Sequence, residues 1–109
     1  MANTFKLKTK ANVGVTTVGI YTAPAATTTV VIGITLSNTS GSGVNVGVGI
    51  TRAGTTEDVK LLKNAPIPQG SSLEFMGGNK VVLEATDTLT VDSDINNSVD
   101  AALTIMEIT

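Results

Sequence analysis

From Thr28 to Thr51 the chain reads TTVVIGITLSNTSGSGVNVGVGIT, two alternating apolar runs on either side of a small polar loop. Strand side chains alternate sides, so Val30, Ile32, Ile34 and Leu36 share one face of the first run, and Val44, Val46, Val48 and Ile50 share one face of the second. The loop Asn38 to Gly43, NTSGSG, supplies residues that tolerate positive φ or bond to their own backbone. The pattern predicts a hairpin with one oily face and an exposed tip, and the rest of the chain is expected to cover that face.

Upstream, Thr4 to Lys10 (TFKLKTK) puts Phe5 and Leu7 on one face and Lys6, Lys8 and Lys10 on the other. This predicts a half-buried edge strand whose lysines discourage unwanted pairing, or an extended arm laid on an acidic partner. In Asn12 to Tyr21 the apolar phase runs through Val13 and Val15, slips at Thr16 and Thr17, and resumes at Val18 and Ile20, as expected of a strand that bends from one sheet into another. Thr22 to Thr27 carries Pro24 among small residues and reads as a connection.

Downstream, Arg52 to Thr56 turns around Gly54, and Glu57 to Lys63 alternates weakly before Pro66 and Pro68 impose an extended backbone, so a strand is preferred to a helical turn. Leu73 and Phe75 share a face in Ser71 to Met76, Gly77-Gly78-Asn79 turns, Lys80 to Ala85 forms a short strand, and Leu89 and Val91 point inward from Thr88 to Val91. The final run, Val99 to Ile108, places Val99, Ala101, Leu103 and Ile105 on one face and Met106 and Ile108 on the other. Apolar residues on both faces predict a central strand, or one buried by a neighbouring subunit. Eight or nine strands, with turn signals about every 8 to 12 residues, predict an all-β, single-domain antiparallel sandwich or small barrel of jelly-roll or immunoglobulin-like type.

Composition narrows the functional classes. A chain of 109 residues buries roughly two thirds of its unfolded surface. Its aromatics are only Phe5, Tyr21 and Phe75, which leaves a core of Val, Ile, Leu and Ala and makes added stability from other chains plausible. Net charge −2 without a sizeable Lys/Arg cluster argues against nucleic acid. MANTFKLKTK has no apolar signal core and no run reaches the roughly 18 residues of a membrane span, so a soluble protein is expected. With no secretory route, the sequons at Asn38 and Asn96 read as turn asparagines.

Candidate chemistry is sparse. The chain has no His and no Cys, which removes His-based triads, Cys–His nucleophiles and His or Cys zinc sites. Its nine carboxylates are scattered over turns and strand surfaces. No enzyme, cofactor or metal is expected. Asp92, Asp94 and Asn96 match the first half of a calcium loop, but Asn97 stands where that loop has Gly and Leu103 where it has its bidentate Glu, so a polar hairpin loop is preferred. Gly77 to Lys80 lacks the length and ending of a P-loop. Gly47 and Gly49 permit close approach of another backbone or sheet, within the chain or from a partner. A sugar-binding module would want aromatic platforms, and with two aromatics in core register only Tyr21 is left free.

The segments SNTSGSGVNVGV, KNAPIPQGSSLEF, GGNKVVLEATDTLTV and SVDAALTIMEIT together resemble short virion structural proteins of tailed bacteriophages, notably cyanophages. The likeness covers about Thr28 to Thr109, and Lys63 to Ser71 fits it well. Thr86 departs from it, standing where Gly would be usual before Asp87. The resemblance implies a virion component assembled in the host cytoplasm, most simply a head decoration or cement protein on the major capsid protein. Tail, collar or fibre proteins and receptor- or carbohydrate-binding modules are the alternatives. A C-terminal strand apolar on both faces, an aromatic-poor core and a chain end without polar cover predict a homo-oligomer, and a trimer is favoured because decoration proteins often sit on three-fold positions. The expected partner contacts are Phe5, Lys6, Leu7, Lys8 and Lys10 of an extended N-terminal arm, Met1 to Lys10, with Met106 and Ile108 at an interface. The three lysines would meet acidic capsid surface.

Overall fold

A computed structural model describes residues 3–54, 57–75 and 80–109. Among these residues there are nine strands: β1 (Asn3–Val13), β2 (Val18–Thr22), β3 (Thr28–Asn38), β4 (Val44–Arg52), β5 (Glu57–Ile67), β6 (Ser72–Phe75), β7 (Val81–Leu83), β8 (Thr88–Ser93) and β9 (Val99–Ile108). They form two antiparallel sheets, one in the order β1-β9-β3-β6 with β7 also on β3, the other β2-β8-β4-β5. β6 pairs with Ile34 to Ser37 and β7 with Thr29 to Val31, so the two continue one line along β3. The expected turn at Gly77 to Asn79 lies between them, outside the described residues, as do Thr55, Thr56, Met76 and the first two residues of the arm.

The inner faces of both sheets meet in one aliphatic core that includes Val31, Ile34, Leu36, Val46, Val48, Leu89, Val91, Leu103 and Ile105. Ile34 and Val46, read as core from alternation, are 2% and 1% exposed. The bend at Thr16 and Thr17 does carry the chain from one sheet to the other. β9 is the central strand its two apolar faces implied, lying between β1 and β3.

The expected β3–β4 hairpin does not form. β3 pairs with β9, β6 and β7, and β4 pairs with β5 and β8. Their oily faces meet across the sandwich instead, and Asn38 to Gly43 is an arch between sheets. Asn38 is 5% exposed, not a free tip. Its Nδ2 donates to the carbonyls of Ser42 and Ile67 at 2.8 and 3.0 Å, while its Oδ1 accepts from Ser40 N and Oγ at 2.9 and 2.8 Å. A side chain that satisfies four partners replaces the ladder bonds a hairpin would have supplied.

A second departure follows from a bulge in β3, where the register with β9 shifts between Val31 and Gly33. An extra residue reverses the alternation. The inward side chains are Thr29, Val31, Ile34 and Leu36, while Val30 leaves the core face and Ile32 sits half-buried in the bulge.

Candidate interaction surface

Two polar features hold the framework on which a surface is built. In the Asp92–Ser98 loop, Asp92 Oδ2 accepts from Thr17 Oγ1 at 2.9 Å, Asp94 Oδ1 from Asn45 N at 3.0 Å, and Asn96 Oδ1 from Val15 N at 3.4 Å. The three residues of the calcium-like spacing each tie the loop to a different neighbour. Among the described residues no group of three or more acidic, His or Cys side chains could hold a metal ion.

The other feature joins β1, β2, β3 and β9. Tyr21 is 7% exposed, so it is not the free aromatic expected from the sequence. Its hydroxyl donates to Glu107 Oε2 at 2.6 Å and stands 2.8 Å from Thr29 Oγ1, which therefore donates to the phenol oxygen. Lys6 Nζ reaches Glu107 Oε1 at 2.9 Å. Burial, then the bond to the Glu107 carboxylate, pushes the Tyr21 phenol up to about 12. The Tyr21 hydrogen bond, then Lys6, holds the Glu107 carboxyl below its ordinary range.

That ion pair reveals which way β1 faces. Lys6 pairs with Ile105, Lys8 with Leu103 and Lys10 with Ala101, and those partners point into the core, so the lysines lie along the inner rim of the sheet edge. Phe5 and Leu7 point outward and are 68% and 65% exposed, the reverse of the half-buried strand expected. An edge strand needs no buried face when a charged residue on its inner side finds a carboxylate, as Lys6 does.

Phe5 pairs with Met106, Met106 with Val30, and Val30 with Val82. Paired residues of antiparallel strands share a face, so these four form a continuous apolar row across the outside of the sheet. Leu7 and Ile108 flank it, and Val82 is 54% exposed. The opposite end of this face is polar, with Thr9, Thr35, Ser37 and Asp100. The structure thus brings Phe5, Leu7, Met106 and Ile108 onto one surface and leaves Lys6, Lys8 and Lys10 off it. Sequence reading missed Val30 and Val82: the bulge hides the first, and the second is legible only as the outward residue of KVVLEA.

The other sheet's outer face differs. Thr22, Thr88 and Thr51 form one cross-strand row, and Gly19, Thr90 and Gly49 the next. A Cβ on Gly47 would fall 2.5 Å from Asp92 Oδ1, and one on Gly49 would meet the Val59 carbonyl at 2.9 Å. The space above these glycines is taken by the chain itself, which answers the open question of whose backbone approaches them.

No family model matches this chain, and no curated protein does. Among solved structures, a chain of the Bacillus endospore appendages, which are disulfide-linked pili, superposes with TM-score 0.57 at 15% identity, over 99% of this chain and 87% of that one. A chain of the infectious bursal disease virus Gx strain gives 0.59 at 14% identity over 96% of this chain. A chain of the T13 particle of the same virus gives 0.57 at 14% over the same share. The present chain spans only 32% and 30% of those two viral chains. At such identities the likeness is one of fold.

Proposed function

We propose that this protein is a non-enzymatic structural component of a tailed-phage virion, most simply a head decoration protein that binds the major capsid protein and works as a homo-oligomer, with a trimer favoured. The observation that carries the reading is the apolar row Phe5–Met106–Val30–Val82, flanked by Leu7 and Ile108, on a sheet face over which no strand among the described residues packs. Burying large exposed apolar side chains is favourable by roughly 25 cal/mol per Å², and such a patch marks an association surface. Strand order supports the virion context: two sheets in the orders β1-β9-β3-β6 and β2-β8-β4-β5 follow the double Greek key of a jelly roll, an architecture common in capsid proteins. The sequence resemblance of Thr28 to Thr109 to phage virion proteins points the same way.

A pilus-type subunit is the second reading, favoured by the match to most of the length of the appendage chain. Such a fibre could not be disulfide-linked here, because the chain has no cysteine. Copy number separates the readings. A decoration protein approaches one copy per major capsid subunit in purified particles by quantitative mass spectrometry, and a tail or collar protein is present in tens. Absence from particles together with open-ended filaments of the purified chain would overturn the virion assignment. Light scattering across a concentration range tests the oligomer, and a strictly monomeric chain, free and on the particle, would reject it.

A further inference from the structure

We infer that Asn3–Lys10 is an exchangeable strand, which one copy of this chain supplies to the β9 edge of the next. The inference rests on the reading that copies assemble, and it names how they are joined.

Of the eleven residues of β1 only Val13 is buried, and none of Asn3 to Lys10 is. This segment keeps regular register with β9 from Asn3↔Ile108 to Lys10↔Ala101, without a bulge. It therefore contributes ladder hydrogen bonds and the Lys6–Glu107 pair, but no core. The other long edge strand, β5, differs. Its register with β4 shifts twice, Asn64 is left-handed, Pro66 removes a donor, and Ile67 anchors it in the core at 1% exposure. Such features blunt an edge and fasten it. β1 has none of them before Lys10.

The break between the detachable and the fixed parts is sharp. Val13 and Gly14 are tied to the body, their carbonyls accepting from Ser98 N at 3.0 Å and Ser93 N at 2.9 Å. Just before them the register with β9 shifts between Lys10 and Val13, and Asn12 has φ 60°, with Ala11 and Asn12 both exposed. Asn12, whose N–H donates to Asp100 Oδ1 at 3.0 Å, stands on the fixed side of this break, and its return to the extended region would redirect everything N-terminal to it, which makes it the hinge of the exchange. The edge of β9 that this would uncover must stay paired, since Leu103, Ile105 and Glu107 lie beneath it, and Glu107 would lose Lys6. The occupant that restores every one of these contacts is the same segment of a second copy, as in exchange of an identical element between protomers.

The chain has no cysteine, so an introduced pair reports without background. Lys10→Cys with Ala101→Cys places thiols on residues paired across β1 and β9, whose Cα separation in a ladder of about 4.5–5.5 Å suits a disulfide. Ala101 is 3% exposed, so a contact between outer faces cannot reach it. The double variant of the full chain is oxidised at concentrations where light scattering finds oligomers, then run on denaturing gels without reductant. Exchange predicts that most chains run as covalent dimers or higher species that collapse on reduction, and that Lys10→Cys with Thr104→Cys gives none. Monomers without free thiols, from a sample that is oligomeric in solution, would overturn exchange while leaving the assembly reading intact. A chain that never associates would overturn both. Should the first pair fail to fold, Lys8→Cys with Leu103→Cys tests the same pairing on the inner face, where Leu103 is likewise out of reach of an outer-face contact, read by the same criteria.

Discussion

The two outer faces of the sandwich are made by the same kind of strand over the same core, yet they carry opposite chemistry. On the β1-β9-β3 sheet the outward positions of one end are Phe5, Leu7, Val30, Val82, Met106 and Ile108. On the β8-β4 sheet they are Thr51, Thr88, Thr90, Gly47, Gly49 and Asp92. The second face is finished internally: Asp92 lies over Gly47, takes the Thr17 hydroxyl, and stands 3.9 Å from Lys60. The first leaves Phe5, Leu7 and Val82 more than half exposed among the described residues. The contrast separates the residues that answer to packing from those open to association, because inner side chains are committed to the core and only outer ones are free to meet a partner.

The largest expected effect would remove both faces together. Ile34→Asp or Val46→Asp buries an unpaired carboxylate in the shared core, at an expense that exceeds the roughly 5 to 15 kcal/mol of a typical domain. Circular dichroism should find no cooperative unfolding transition. A normally folded variant would mean that the core facing both sheets is placed wrongly.

Next comes the contrast itself. Phe5→Ser combined with Leu7→Ser should weaken self-association about a hundredfold or more, since each large apolar side chain is worth about 1.5–3 kcal/mol when buried, and should leave the melting temperature close to that of the parent. Thr51→Ser with Thr90→Ser, on the other face, should change neither. Sedimentation velocity distinguishes them, and equal effects from the two pairs would dissolve the comparison.

Glu107→Gln sharpens it at the level of β1. Loss of the charged acceptor for Tyr21 and Lys6 should lower stability by about 2 kcal/mol. Because the folded chain holds this carboxyl below its ordinary value of 4.5, the unfolded chain binds the proton at higher pH. The stabilisation is therefore complete above that value and fades as pH falls through the folded one. Denaturant titrations between pH 7 and pH 3 should give the parent a steeper loss of stability on acidification than the variant.

The smallest effect is a gain. Thr86 has φ 67°, a left-handed conformation in which a β-branched residue is strained. Its neighbour Asp87 is fixed by Arg52 Nε at 2.9 Å and accepts from Glu84 N at 3.0 Å, so the turn cannot relax. The resemblance expects Gly here, and Thr86→Gly should raise stability by about 1 kcal/mol, read as a rise in melting temperature of a few degrees with both faces unchanged.

By itself the sequence determined the all-β class, most of the places where the described chain turns and most of the inward residues of β4, β8 and β9, and it narrowed β9 to a central or subunit-covered strand. Each of these is written in a period of two or in local turn chemistry, which a strand carries wherever it goes. The partner of a strand is not written there. Two oily runs joined by NTSGSG look alike whether they lie side by side in one sheet or face each other across two, and it took the buried amide of Asn38, bonded to the distant carbonyl of Ile67, to decide for the arch. The same holds for the candidate surface. Phe5, Leu7, Met106 and Ile108 were legible as apolar residues in search of cover, but the face they share, and the membership of Val30 and Val82, depended on a one-residue bulge in β3. The outward turn of β1 depended on a salt bridge to Glu107, 101 positions along the 109-residue chain. Local alternation reports which residues share a side. Only long-range register decides which side is in.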